Sequence, residues 1–210
     1  LSQEPARITE EDTNEICWLD ALSDVARWHP VEECRVKPSD LTCPWGSRSL
    51  QFYFEVDHFD GEKAYPIGWP RAHLNPAGWE RNWQDWDRLE FMALATSSRP
   101  SLPKSALTIE FGDVKPVYNP SIEFPELDTW QLVTIPTAEI FARNPMTRGG
   151  INRLRVVVTE ANYNHGDVLE FHVAGFRLVR SLICEITSLK ATTPVIYAGQ
   201  PFIGLAATVI

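Results

Sequence analysis

Apolar and polar residues alternate along much of this chain with the two-residue period of half-buried β-strands. In Ser49-Leu50-Gln51-Phe52-Tyr53-Phe54-Glu55-Val56, the side chains of Leu50, Phe52, Phe54 and Val56 share one face. Gln51, Tyr53 and Glu55 share the other. Leu107, Ile109 and Phe111 repeat the pattern, as do Leu154, Val156 and Val158. A long strand is predicted over residues 168–179. There Leu169, Phe171 and Val173 alternate inward, the phase slips at Ala174-Gly175, and Phe176 and Leu178 carry on. One extra residue at a glycine predicts a β-bulge. Leu89 to Ala95 and Trp130 to Ile135 complete a set of at least six strands. Only Thr137 to Arg143 has a helical pattern, for about two turns. Short strands with scattered turn residues predict an all-β fold, an antiparallel β-sandwich with Leu50, Phe52, Phe54, Leu107, Ile109, Phe111, Leu154, Val156, Phe171 and Val173 inside.

The pattern divides the chain in three. Residues 1–15 are polar and acidic and are expected to be a flexible segment. Residues 16–181 hold the sandwich. Residues 182–210 lose their aromatics and run through Thr193-Pro194-Val195-Ile196-Tyr197-Ala198-Gly199-Gln200-Pro201 into Ile203, Leu205, Ala207 and Val209. This last stretch resembles the opening of an immunoglobulin-like β domain. It ends at Ile210 in mid-strand, so a larger parent protein is expected, with its neighbouring domains as partners.

Composition narrows the function. Residues 1–60 carry 13 acidic and 5 basic side chains, and the whole chain has a net charge of −9. An acidic chain without a basic stripe repels phosphates, which argues against nucleic acid and anionic membranes. No run of about 18 apolar residues is present to span a bilayer. The start at Leu1-Ser2-Gln3-Glu4 fits a mature secreted chain after signal removal. Four cysteines, Cys17, Cys34, Cys43 and Cys184, include no C-x-x-C pair. A turn at Pro38-Ser39-Asp40 predicts a Cys34–Cys43 disulfide. A second bridge, Cys17–Cys184, stays open beside it, and buried free thiols are the alternative to both.

Five of the eight tryptophans, Trp45, Trp69, Trp79, Trp83 and Trp86, fall within 42 residues. Trp86 opens a strand and is expected in the core. The stretch 65–83, rich in Pro and Gly, is read as a functional loop of about 20 residues. A sugar presents apolar C–H faces and a rim of hydroxyls, so its site needs an aromatic platform and planar polar groups. Tyr65, Trp69, Arg71, His73, Trp79 and Asn82 are the candidate ligand-binding residues, with Asn75 beside them. A rigid loop packed onto its own sheet is the plainer alternative.

The order of Ser49–Val56, Tyr65-Pro66-Ile67-Gly68-Trp69-Pro70-Arg71, Trp86-Asp87-Arg88-Leu89-Glu90-Phe91, Trp130 through Pro136, and Asn152-Arg153-Leu154-Arg155 through Phe176-Arg177-Leu178 resembles a known family. It is similar to the galactose-binding-like jelly roll of carbohydrate-binding modules and ancillary domains of bacterial glycoside hydrolases. The resemblance implies a non-catalytic domain of a secreted glycan-processing protein, with a glycan as ligand and no cofactor required. It also implies a structural calcium between the first and last strands, held by carboxylates of the N-terminal segment and carbonyls of the last strand. Where the family carries an Asp pair, however, this chain has Ala174-Gly175. Two other readings remain at this stage. One is a structural spacer without a ligand. The other is a small enzyme, such as a β-elimination lyase using Tyr163 and His165. Acid–base clusters occur at Asp57-His58-Phe59-Asp60, at Glu160, Tyr163, His165 and Asp167, and at His29, but no G-x-S-x-G or H-E-x-x-H motif is present. Asn162-Tyr163-Asn164-His165-Gly166-Asp167 reads best as a hairpin turn, given its Asn, Gly and Asp.

Overall fold

A computed structural model describes residues 14–20, 24–46, 48–59, 67–112, 116–143, 150–181, 186–191 and 205–209. Residues Ile16–Arg180 form one compact unit. Its strands are β1 (Asn14–Asp20), β2 (Trp28–Val31), β3 (Arg35–Ser39), β4 (Ser49–Glu55), β5 (Arg71–Leu74), β6 (Arg88–Ser97), β7 (Leu107–Gly112), β8 (Pro116–Tyr118), β9 (Ser121–Ile122), β10 (Gln131–Pro136), β11 (Arg153–Val157) and β12 (Val168–Ser181). The helix α1 (Thr137–Arg143) falls at its predicted residues. The second unit holds β13 (Ile186–Ala191) and β14 (Leu205–Val209), paired antiparallel.

The strands of the first unit form two antiparallel sheets. One runs β10-β6-β12-β4-β3, with β1 also paired to β12. The other runs β2-β5-β11-β7-β8, with β9 paired to β7. The sheets pack as a sandwich. Period 2 drives this packing, because each strand must bury its apolar face against the facing sheet. All ten residues assigned to the interior are at most 1% exposed. Edge-to-face rings fill the centre: Trp28 meets Phe52 at 4.9 Å, and Phe54 meets Phe171 at 6.0 Å.

The strand β12 breaks register against β6 between Ala174 and Arg177, and Gly175 sits at φ +70°. This is the bulge that the phase slip predicts. Gly175 is required twice over. Its backbone is in the left-handed region, and an added Cβ would fall 2.8 Å from Trp45 Cε3.

Three expectations are corrected. Cys34 and Cys43 are free, not bridged. Cys34 packs into the main core between the sheets, whereas Cys43 packs with Met92 and Ala174 in a separate cluster. The intervening β3 carries the chain from one cluster to the other, so the turn never brings the two sulfurs together. The stretch 65–83 is not one continuous loop, since β5 occupies Arg71–Leu74 and a 3₁₀ turn occupies Gly78–Arg81. The turn at residues 162–167 does not close a hairpin. It links β11 to β12, which lie in different sheets, and Asn, Gly and Asp serve such a connection as well as a hairpin. Cys184 and Tyr65 lie outside the described residues.

Two measurements check this core. Gly175→Ala is expected to lower unfolding free energy by about 3 kcal/mol in urea titration. Gly166→Ala has φ +85° and nothing within 4 Å of an added Cβ, so it is expected to cost only about 1 kcal/mol. Mass spectrometry after alkylation in urea without reductant is expected to find both Cys34 and Cys43 labelled. An unlabelled pair would restore the disulfide.

Candidate functional site

At one end of the sandwich, Gly68, Trp69 and Pro70 run beside the extension of β11, and Val158 N donates to Pro70 O at 3.0 Å. Trp69 is 44% exposed. Two carboxylates fix its backbone. Glu160 is fully buried, accepting from Gly68 N at 2.8 Å through Oε2 and from Asp57 N at 2.9 Å through Oε1. Glu32 stands in the turn between β2 and β3 at φ +60° and accepts from Trp69 N at 2.9 Å. Gly68 lies between them. An added Cβ would meet Glu32 Oε2 at 2.9 Å and Glu160 Oε2 at 3.1 Å.

Arg71 opens β5. Its Nη1 donates to Glu32 Oε1 at 2.7 Å and to Trp69 O at 2.9 Å. Trp69, Glu32 and Arg71 therefore form one hydrogen-bonded unit. Within β5, Ala72 and Leu74 enter the core, so Arg71 and His73 lie on the outer face. Strand pairing continues that face sideways as a row, His29–His73–Arg155–Glu110, across β2, β5, β11 and β7. The rings of His29 and His73 stand 5.1 Å apart, and Arg155 donates to Glu110 Oε2 at 3.4 Å. Arg153 Nε donates to Asn75 Oδ1 at 3.4 Å. Burial, then the charges of Arg153, His29, Arg155 and Arg71, lower the pKa of His73 to about 4. Glu110 is raised by burial, against the pull of Arg155.

Of the candidate residues, the structure brings Trp69, Arg71 and His73 together. Asn82 is exposed and serves its own turn, accepting from Gln84 N at 3.2 Å. The side chains of Tyr65 and Trp79 lie outside the described residues. Trp83 is core, and its Nε1 donates to Glu80 O at 2.7 Å. Sequence reasoning missed Glu32, because no periodicity marks a turn residue 37 positions away from Trp69. Glu160 stood out only as an acidic residue in a turn, not as a buried anchor.

The lyase reading is not supported at Tyr163. This residue is 4% exposed and its hydroxyl donates to Ala106 O at 2.6 Å. Burial raises its pKa well above the ordinary value, so it makes a poor base.

The residues at Ala174-Gly175 do not fit a calcium site either. Gly175 is covered by the indoles of Trp45 and Trp18, and Arg177 stacks 3.9 Å over Trp45 while its Nη2 donates to Glu90 at 2.8 Å. A fixed guanidinium already supplies positive charge at this edge. Among the described residues no three His, Cys, Asp or Glu side chains cluster as metal ligands. The acidic residues 1–13 lie outside the described residues.

No protein-family model and no curated protein sequence matches the chain. Solved structures with a similar fold do. An exo-β-agarase has a TM-score of 0.52 at 12% identity, over 79% of this chain and 24% of the agarase. A family 11 carbohydrate-binding module from Clostridium thermocellum, in complex with a β-1,3-1,4-mixed-linked tetrasaccharide, has 0.49 at 13%, over 80% and 96% of the two chains. A carbohydrate-binding module specific for non-crystalline cellulose has 0.47 at 13%, over 76% and 92%. At these identities the likeness concerns the fold.

His73 is expected to titrate near pH 4 in an NMR titration, well below the roughly 6.5 of an unfolded chain. The unfolded state then takes up the proton first, so stability is expected to fall as pH drops from about 6.5 towards 4. A His73 that titrates above pH 6 would remove this account.

Proposed function

We propose that the sandwich is a non-catalytic glycan-binding domain, and that the outer face around Trp69, Arg71 and His73 receives the sugar. The observation that carries the reading is the exposed indole of Trp69. Its backbone is clamped by Glu32, and Arg71 is held beside it by the same carboxylate. An exposed indole on a backbone held in this way gives a sugar's C–H face a platform. Arg71 beside it, and His73 and Arg153 farther along the same face, are donors suited to ring hydroxyls or a uronate carboxylate. The presence of this fold in an exo-β-agarase is in keeping with the reading. With it go secretion, and neighbouring domains of a parent chain as partners.

Titration with neutral and uronate-containing oligosaccharides, read by tryptophan fluorescence and calorimetry, tests the proposal. Trp69→Ala is expected to weaken binding about tenfold, which is about 1.4 kcal/mol. Arg71→Ala is expected to weaken the uronate ligand more than the neutral one. Binding untouched by both substitutions would discard this face, and the absence of any glycan binding would leave the structural spacer in its place.

A further inference from the structure

The opposite sheet carries a cleft of about 650 Å³ on its own outer face, remote in the fold from β5. Gln51, Leu94, Thr96, Glu170 and His172 line it from β4, β6 and β12, with Lys37 on β3 at one side. Its rims are Asp40, Leu41 and Thr42 after β3, and Asp128 and Trp130 before β10. Register explains the grouping. Lys37, Gln51, His172 and Leu94 form one lateral row across four strands, and Tyr53, Glu170 and Thr96 form the next.

Outward-facing polar residues on a sheet are ordinarily wet. Here Gln51 and His172 are each only 6% exposed, because the rims wall them in. Each polar group is also fixed. Ser39 Oγ and His172 Nδ1 share a hydrogen bond of 2.7 Å. Gln51 Nε2 donates to Glu170 Oε2, which stands 3.7 Å from His172 Nε2. Thr96 Oγ1 donates to Asp128 Oδ1 at 2.9 Å. Asp128 has φ +57° and, among the described residues, only Glu32 shares a positive φ outside glycine. Trp130 packs on the cluster of Cys43, Met92 and Ala174, which stiffens the indole where it borders the cleft.

We propose that this cleft is a second ligand site, and that it takes an uncharged oligosaccharide. Among the described residues, Glu170 Oε1 and Asp128 Oδ2 have no protein donor, so both remain open to sugar hydroxyls. Burial keeps His172 below its ordinary pKa, so at pH 7 its ring is neutral and adds no cation. Three carboxylates, Asp40, Asp128 and Glu170, face one amine, Lys37. That balance accepts hydroxyl donors and repels carboxylated or sulfated sugars. The arginine-bearing face around Arg71 has the reverse balance, and neither site depends on the other.

NMR titration of the labelled protein with neutral gluco-, xylo- and manno-oligosaccharides, and with uronate-containing ones, tests the assignment. The expected result is that at least one neutral series shifts amides at residues 37–42, 94–96, 128–130 and 170–172, while the uronates leave them still. Trp130→Ala is expected to weaken the binding read at those cleft amides at least tenfold. Because Trp130 also packs, Glu170→Gln and Asp128→Asn serve as volume-conserving variants and are expected to weaken it threefold or more. Neutral sugars that shift no amide in the cleft, or binding that survives all three cleft variants, would overturn the proposal. A loss seen only with Trp69→Ala would do the same while leaving the Trp69 face standing.

Discussion

The buried carboxylate of Glu160 holds the Trp69 end of the sandwich in place. A carboxylate without water is costly unless hydrogen-bond donors surround it, and backbone amides are among the strongest such donors. Glu160 takes one from Asp57, just past β4, and one from Gly68, just before Trp69. It thus ties the end of a strand in one sheet to the approach of a strand in the other, from the connection that crosses between them. At Gly68 an added Cβ would press on the carboxylates of Glu32 and Glu160 from two sides. These two carboxylates hold the backbone at Gly68 and Trp69.

The sandwich was largely legible in the amino-acid sequence, and the reason is geometric. A strand buried on one face writes its orientation into every second residue, so Leu50, Phe52 and Phe54 declare their side without any partner being known. The bulge was legible for the same reason, since one extra residue reverses the phase at Gly175. Pairing was not legible. Residues 162–167 have the composition of a hairpin turn whether the next strand is a neighbour or lies across the core. The disulfide expectation failed similarly, because closeness in sequence says nothing about which side of a sheet a sulfur enters. Of the site, the residue types were legible at Trp69, Arg71 and His73. The acceptors that position them, Glu32 and Glu160, come from distant turns and leave no periodic trace.

The two outer faces carry opposite chemistry, although the core between them is ordinary. One presents Arg71, Arg153 and Arg155 around paired histidines, and the other presents carboxylates beside Trp130. Because side chains alternate along a strand, a sandwich can vary either outer face with little effect on its interior. The net charge of −9 conceals this division. Each face includes one carboxylate residue in the left-handed region, Glu32 or Asp128, and the surrounding hydrogen bonds outweigh the strain.

The unpaired state of Cys34 and Cys43 bears on how the domain meets oxidants. Burial pushes the Cys34 thiol up to about 12, so at pH 8 only about one molecule in ten thousand carries the reactive thiolate there. Cys43 is 1% exposed. Folding of the sandwich draws no support from a covalent bond between these two sulfurs, so for this pair the redox potential of the surroundings is a neutral variable. For Cys34 and Cys43 the fold itself asks for no oxidant and for no isomerase to sort the pair.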